Sequence, residues 1–281
     1  MGKFVVVEKV KPIRKEVPKA IAIKPIANQV NFPLNASLPL PASVCKRMGD
    51  PATIVGFDIE THDWLERPSR RSRIGDFGWH TQADEDNIDA ARIVQMAWSI
   101  GTQSIPETIK SYVIRPEGFV ISHKATAFHG ISQEYAEHGK PLQEVLEEFM
   151  HDLMLHMDVG GKVVAHHLEF DAGVIYREFK RCGLNSRADE WMRLARQGFC
   201  TKSPELGCWL KQACGEQVAH ENAKHSMGLL SVCQKLLPEV ALPRDVHNAG
   251  TDANMCRLVY LALLERRGQL PKHSHDEALS Q

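Results

Sequence analysis

Residues 53–60 read Thr-Ile-Val-Gly-Phe-Asp-Ile-Glu, a short run of β-branched and apolar residues that predicts a buried strand. Side chains on a strand alternate between faces, so Ile54, Gly56, Asp58 and Glu60 share one face, and Val55, Phe57 and Ile59 share the other. Two carboxylates on one face of an otherwise apolar strand cost much desolvation unless something cationic balances them. A hard divalent cation does this with oxygen ligands. Taken alone, the pair reads equally well as an acidic strand end that water solvates. Either way, a chain built around this strand must lead Asp58 and Glu60 to solvent, a cation or further ligands at one end of a sheet.

The surrounding pattern predicts that sheet. Residues 92–101, around Ile93-Val94-Gln95-Met96-Ala97-Trp98, and residues 109–115 form two further strands. Pro141 opens a helix whose apolar residues, Leu142, Val145, Leu146, Phe149, Met150, Leu153 and Met154, recur at helical spacing and mark a core stripe. Lys162-Val163-Val164-Ala165 is a short strand that runs through His166-His167 into a helix from about Phe170 to Arg181, stopped by Gly183. Residues 226–237 form a helix ended by Pro238, and the last helix runs from about Thr251 to Arg267. Strands first, then strands alternating with helices, predict an α/β layer fold.

The ends of the chain differ from the middle. Residues 1–50 hold nine basic side chains against three acidic ones, so a basic head hides behind a total of −1, and the remainder is acidic. Pro12, Pro18, Pro25, Pro33, Pro39 and Pro41 interrupt any period there, which predicts an extended arm over 1–50. Such an arm is a solvated tether or a contact for a polyanion. A folded body is expected over 51–268, with a flexible tail at 269–281. Residues 63–91 are too long for a hairpin loop and are polarised, with Arg67, Arg70, Arg71 and Arg73 ahead of Asp84, Glu85, Asp86 and Asp89. That segment is an insertion that binds phosphate or pairs its own two halves.

Composition narrows the class. With 43% hydrophobic and 25% charged residues, the chain has material for a packed core. No apolar run approaches the ~20 residues that span a bilayer, and the N-terminus lacks a secretory h-region. A soluble, non-membrane protein is expected. Seven cysteines without a CxxC pair point to reduced thiols and an intracellular, cytoplasmic or nuclear setting. Cys200, Cys208 and Cys214 with His220 and His225 match no common zinc-finger spacing.

Three more residues carry chemistry. Asp171 opens a helix, His247 lies on the loop before the last helix, and Asp252 lies in its first turn, with Thr251 as the expected cap. Singly, each reads as a capping acid or a surface histidine. Together, four carboxylates and one histidine stand at the ends of predicted elements in the order Asp-x-Glu, Asp, His-x4-Asp. That inventory suits a two-metal site for phosphoryl transfer, with a neutral histidine to deprotonate the attacking water.

At these residues the chain resembles a known family. Phe57-Asp58-Ile59-Glu60-Thr61, Ala165-His166-His167-Leu168-Glu169-Phe170-Asp171 and His247-Asn248-Ala249-Gly250-Thr251-Asp252 resemble the three motifs of the DEDDh, or DnaQ-like, 3′–5′ exonucleases. Ala127-Phe128-His129-Gly130-Ile131 and Ser226-Met227-Gly228-Leu229-Leu230 resemble two softer family marks, and the likeness covers roughly residues 52–266. It implies a ribonuclease H-like α/β fold with a mixed central sheet flanked by helices. It also implies an enzyme that releases nucleoside 5′-monophosphates from the 3′ end of DNA or RNA. Asp58, Glu60, Asp171 and Asp252 would hold two divalent ions, Mg²⁺ or Mn²⁺, and His247 would be the general base. The backbone from Ile59 to Thr61 would hold the terminal nucleotide, and His129 would face it. The partner implied is a nucleic acid with a free 3′ end, and no protein partner can be read.

Two departures stand out. Trp64 falls where many relatives carry a leucine against the terminal base, and its indole could stack there or pack in a loop. His167 stands where the family commonly has Asn, so a substrate contact there changes shape. The competing reading of the whole chain is a non-catalytic nucleic-acid-binding or scaffold module that keeps the fold.

Overall fold

In the computed structural model, which describes residues 38–63, 88–102, 108–216, 226–238, 240 and 247–268, the Asp58–Glu60 strand is the centre of the sheet. This strand, β1 (Thr53–Thr61), pairs antiparallel with β2 (Ile93–Gly101), and β2 pairs antiparallel with β3 (Thr108–Val113). On its other edge β1 runs parallel to β4 (Gly161–Ala165), which is followed by the short parallel β5 (Phe199–Cys200). The order is β3-β2-β1-β4-β5, a mixed α/β sheet. The β4 pairing stops at Gly56, so the carboxylates at 58 and 60 lie past the end of that ladder. A register irregularity between Glu60 and Thr61 shifts the β2 pairing just past the second carboxylate, so that Thr61 pairs with Ile93.

The alternation along β1 divides the two cores. Val55, Phe57 and Ile59 pack with Leu146 and Phe149 of α4 (Leu142–Met157), Phe179 of α5 (Leu168–Arg181) and Trp191 of α6 (Asn185–Ala195). Phe57 meets the Trp191 ring edge-on at 5.1 Å. Ile54 packs on the other face with α1 (Ala42–Met48), α7 (Pro204–Ala213), α8 (Leu229–Leu236) and α9 (Ala249–Gly268). Two short helices, α2 (His123–His129) and α3 (Gln133–Ala136), bury Ala125 and Ala136 beside Val94. Both are capped by serine: the Ser122 and Ser132 hydroxyls accept from the N–H three residues on.

Helix α9 lies unusually close to the sheet. A Cβ on Gly56 would stand 2.2 Å from the Ala253 carbonyl oxygen, and the facing residues Ala97, Ala249 and Ala253 are fully buried and small. The seam of glycine and alanine lets the start of α9 reach the face that carries Asp58 and Glu60.

A buried ion pair closes the base of the insertion. The Glu178 side chain is fully buried and accepts from Arg92 Nε (2.9 Å) and from the Ile93 backbone N–H (3.1 Å). Arg181 donates to the Ala91 carbonyl (3.1 Å) and lies 3.4 Å from Glu178. Ile88, fully buried, joins the first core, so the insertion's last residues belong to the body.

Several expectations shift. Residues 42–48, expected within an extended arm, form α1, whose Val44 and Met48 are fully buried against the second core. Pro39 and Pro41 precede this helix rather than interrupt it, and proline is tolerated at a helix start. The last helix begins at Ala249, two residues earlier than expected, and its cap is Asn248 rather than Thr251: Asn248 Oδ1 accepts from the N–H of Gly250 (3.1 Å) and Thr251 (3.4 Å). Helix α5 starts at Leu168 and α8 at Leu229. The Arg67–Arg73 cluster, Trp64, the arm over 1–37 and the tail over 269–281 lie outside the described residues. All seven cysteines are free thiols.

Gly56→Ala tests the seam. Overpacking of this kind costs about 1–3 kcal/mol or more, so the variant is expected to unfold at lower denaturant with an unchanged m-value. An unchanged midpoint would mean that α9 does not rest on Gly56.

Candidate active site

Asp58 and Glu60 arrive together because they are two residues apart on β1. Asp252 arrives because the start of α9 is pinned from two sides. Asn248 caps the helix, and the buried amide of Gln95, which lies opposite Glu60 on β2, accepts from the Ala249 N–H (3.1 Å) while donating to Ser111 Oγ (3.1 Å). Asp58, Glu60 and Asp252 each direct a carboxylate oxygen into one group within 4.8 Å. Asp171, in the first turn of α5 and 5% exposed, stands outside that trio, yet its charge acts on both Asp58 and Glu60.

Burial and mutual repulsion dominate the electrostatics. Burial, then Asp171, Asp252 and Glu60, pushes the Asp58 carboxyl well above the usual carboxylate range. Burial pushes Glu60 up to about 8, with Asp252 and Asp171 adding to it. Burial likewise raises Asp171 to about 8 against the opposing pull of Lys202, and raises Asp252 to about 6, although the His247 backbone N–H bonds to it. Asp252 Oδ1 is buried with no hydrogen-bond partner among the described residues. Close carboxylates that resist ionisation, one holding an unpartnered buried oxygen, form the donor set that a hard divalent cation would satisfy.

The histidines around this group differ in their surroundings. His247 adopts φ 76°, lies beside Asp252, and burial lowers its pKa, so its ring is neutral near physiological pH. His129 Nε2 donates to the Thr61 carbonyl (3.2 Å) and its Nδ1 accepts from the Ile131 N–H (3.1 Å), which fixes a neutral tautomer. Thr201 Oγ1 donates to the Ala165 carbonyl, so it accepts from His166 Nδ1–H (2.9 Å). His167 is exposed and stacks on Phe170, with ring centroids 5.7 Å apart. The Ile59 side chain points into the first core, which leaves only its backbone toward the site, and Thr61 Oγ1 donates to the Asp63 carbonyl (3.1 Å).

Three neighbours were not singled out from the sequence as site residues. Gln95 had a signal, a polar residue within an apolar strand run, and Asn248 had another, a favoured cap type just before the helix. Lys202, whose charge acts on Asp171 and His166, had none, because the short β5 that delivers it has only two residues.

The RNase T family model, described as exonuclease, matches residues 85–260. The chain belongs to this exonuclease family. The match begins downstream of Asp58 and Glu60, so their place beside Asp252 rests on the geometry above. Among solved structures, S. pombe Pop2p in a Mg²⁺- and Mn²⁺-bound form shares 15% identity at a TM-score of 0.52, over 78% of this chain and 86% of that one. An exonuclease I structure shares 15% identity at 0.50 over 77% of this chain and 41% of that one, so this chain spans less than half of exonuclease I. A zinc-bound E. coli exonuclease I complex with single-stranded DNA matches at 13% identity and 0.49, over 78% and 42% of the two chains. The shared fold is ribonuclease H-like. No curated protein matches in sequence, and no described helix is long and apolar enough to cross a membrane.

The raised carboxyls give a pH prediction for the metal-free protein. Unfolded Asp and Glu ionise near pH 4, whereas folded Asp252 does so at about 6 and Glu60 and Asp171 at about 8. Between those limits the native state binds more protons than the unfolded one, so stability falls as pH rises from about 4 to about 8 and then levels. Thermal unfolding in EDTA should follow that fall, and Mn²⁺ or Mg²⁺ should restore the melting temperature most at the alkaline end. A melting temperature flat across this window would contradict the clustered, buried carboxyls.

Proposed function

We propose that this chain is a metal-dependent 3′–5′ exonuclease that hydrolyses the terminal phosphodiester bond of DNA or RNA and releases nucleoside 5′-monophosphates. The observation that carries the reading is the group of Asp58, Glu60 and Asp252 oxygens within 4.8 Å on an exonuclease-family fold, with neutral His247 bonded through its backbone to Asp252. In this reading Asp58, Glu60, Asp171 and Asp252 hold two divalent ions, Mg²⁺ or Mn²⁺. Such ions supply charge stabilisation for the attacking and leaving oxygens of an in-line displacement.

The protein's own groups do the rest. A neutral imidazole at His247 takes a proton from the attacking water, a task suited to a base that is uncharged at neutral pH. The Ile59–Thr61 backbone seats the terminal nucleotide, and His129, bonded to the Thr61 carbonyl, stiffens that seat. His167 and Trp64 are the remaining substrate contacts in this reading; His167 is exposed beside the start of α5. The partner is a nucleic acid with a free 3′ end, and seven free thiols suit a reducing compartment, cytoplasm or nucleus.

Gel assays with 5′-labelled RNA and DNA, single- and double-stranded, in Mg²⁺, Mn²⁺ or EDTA, test the reading. The expected result is a metal-dependent ladder shortening from the 3′ end. Asp252→Asn and His247→Ala are each expected to slow it by about 10²–10⁴-fold. Binding without shortening of any substrate, with metal still raising the melting temperature, would instead support the non-catalytic binding module.

A further inference from the structure

The imidazole of His247 needs an orienting contact that leaves its nitrogens available. A general base has to keep one ring nitrogen open toward water, and the usual orienting device, a carboxylate on the other nitrogen, is not found among the described residues. Neither His247 ring nitrogen has a hydrogen-bond partner among the described residues. The backbone gives little help, since φ 76° is a conformation that non-glycine residues seldom hold. What the ring does have is a face contact. Phe128 covers it with centroids 3.6 Å apart and planes inclined by 32°.

The contact is built in. Helix α2 is capped at both ends, by Ser122 Oγ and by Gly130 in the left-handed conformation, and Ala125 anchors it in a small apolar cluster. Residues three and four along from Ala125 share its face of the helix. They are Phe128, which meets His247, and His129, which meets the Thr61 carbonyl. One rigid turn therefore touches both the general-base loop and the backbone of the nucleotide seat. Phe128 is 38% exposed, so its ring covers the imidazole from the solvent side.

We propose that Phe128 is a positioning residue for His247: its ring clamps the imidazole face and holds the base in register with the carboxylates through a contact that engages neither ring nitrogen. This rests on the exonuclease reading for its catalytic consequence, and on the stack alone for its structural one. A misplacement of about 1 Å can cost on the order of 100-fold in rate.

Two measurements on the full chain test it. In steady-state assays on whichever 5′-labelled strand the enzyme shortens, Phe128→Ala and Phe128→Leu are expected to lower kcat by about 10- to 100-fold with KM within about twofold. Phe128→Tyr should keep most of the rate. Because Phe128 acts through His247, adding Phe128→Ala to His247→Ala should slow the enzyme no further. In NMR of ¹³C-histidine-labelled protein, the His247 ring proton, assigned by its loss in His247→Ala, should lie upfield and move downfield in Phe128→Ala and Phe128→Leu. It should stay in place in Phe128→Tyr. The Mn²⁺-induced rise in melting temperature should persist in each variant, which separates loss of position from loss of fold. A raised KM at unchanged kcat, or a further loss on the His247→Ala background, would make Phe128 a substrate contact and overturn the proposal. An unmoved His247 resonance would overturn it as well, even if the chain proved to have no nuclease activity.

Discussion

The site exists because a helix can touch a strand at Gly56. Carboxylates from β1 and α9 meet only if the helix start comes within backbone distance of the sheet, and there the room is set by one missing Cβ and three alanines. That closeness has two electrostatic consequences. It brings like charges together in a buried place, and it places the Asp252 turn where Gln95 and Asn248 can fix it. Burial then raises every carboxyl in the group, so without cations the native state prefers them protonated. The arrangement is costly as a fold and economical as a cation site. A catalytic centre is where such a conflict between stability and local structure is tolerated.

Much of this was legible in the residues, for physical reasons that differ by element. The period-two pattern of β1 placed Asp58 and Glu60 on one face, and the two cores that flank the strand divide along that alternation. The stripe on α4 was equally clear, because seven apolar residues at helical spacing leave few other solutions, and six of them are buried. Helices α6 and α7 are only weakly marked in the sequence. In α6 the start has no capping side chain and Ala188, Trp191, Met192 and Ala195 are buried among charged neighbours, so the stripe is short. Helix α7 begins with a Ser-Pro start that reads as a turn until Leu206, Trp209 and Leu210 are seen to be buried. Helix α1 was lost for a compositional reason: averaged with a proline-punctuated head, Val44 and Met48 are too few to stand out.

The site was legible to a different depth. Residue types and order along the chain pointed to Asp58, Glu60, Asp171, His247 and Asp252. The unequal placement of the fourth carboxylate was not visible. Asp171 faces the group from α5, bonded through its backbone to His167 and drawn toward Lys202, whereas the other three converge directly. Nor was the aromatic neighbour of His247 visible, since Phe128 and His247 are far apart in sequence and no pattern links a loop histidine to a helix of seven residues.

The insertion is tied to this centre by its base. The His62 N–H donates to the Arg92 carbonyl (2.9 Å) and His62 Nδ1 accepts from the Arg92 N–H (3.2 Å), so the chain leaves and re-enters the body through one residue pair. The His62 carbonyl accepts from Ser122 N–H, the cap of α2, and the His62 ring meets Phe119 edge-on at 5.3 Å. Arg92 in turn rests on Phe119 and on buried Glu178. The neck of the insertion, the Thr61 backbone and the helix bearing Phe128 and His129 thus share one hydrogen-bonded frame. One residue separates the neck from the Thr61 backbone, and one short helix separates it from the His247 loop. The residue pair His62 and Arg92 thus closes the base of the insertion beside the end of β1 that carries Asp58 and Glu60.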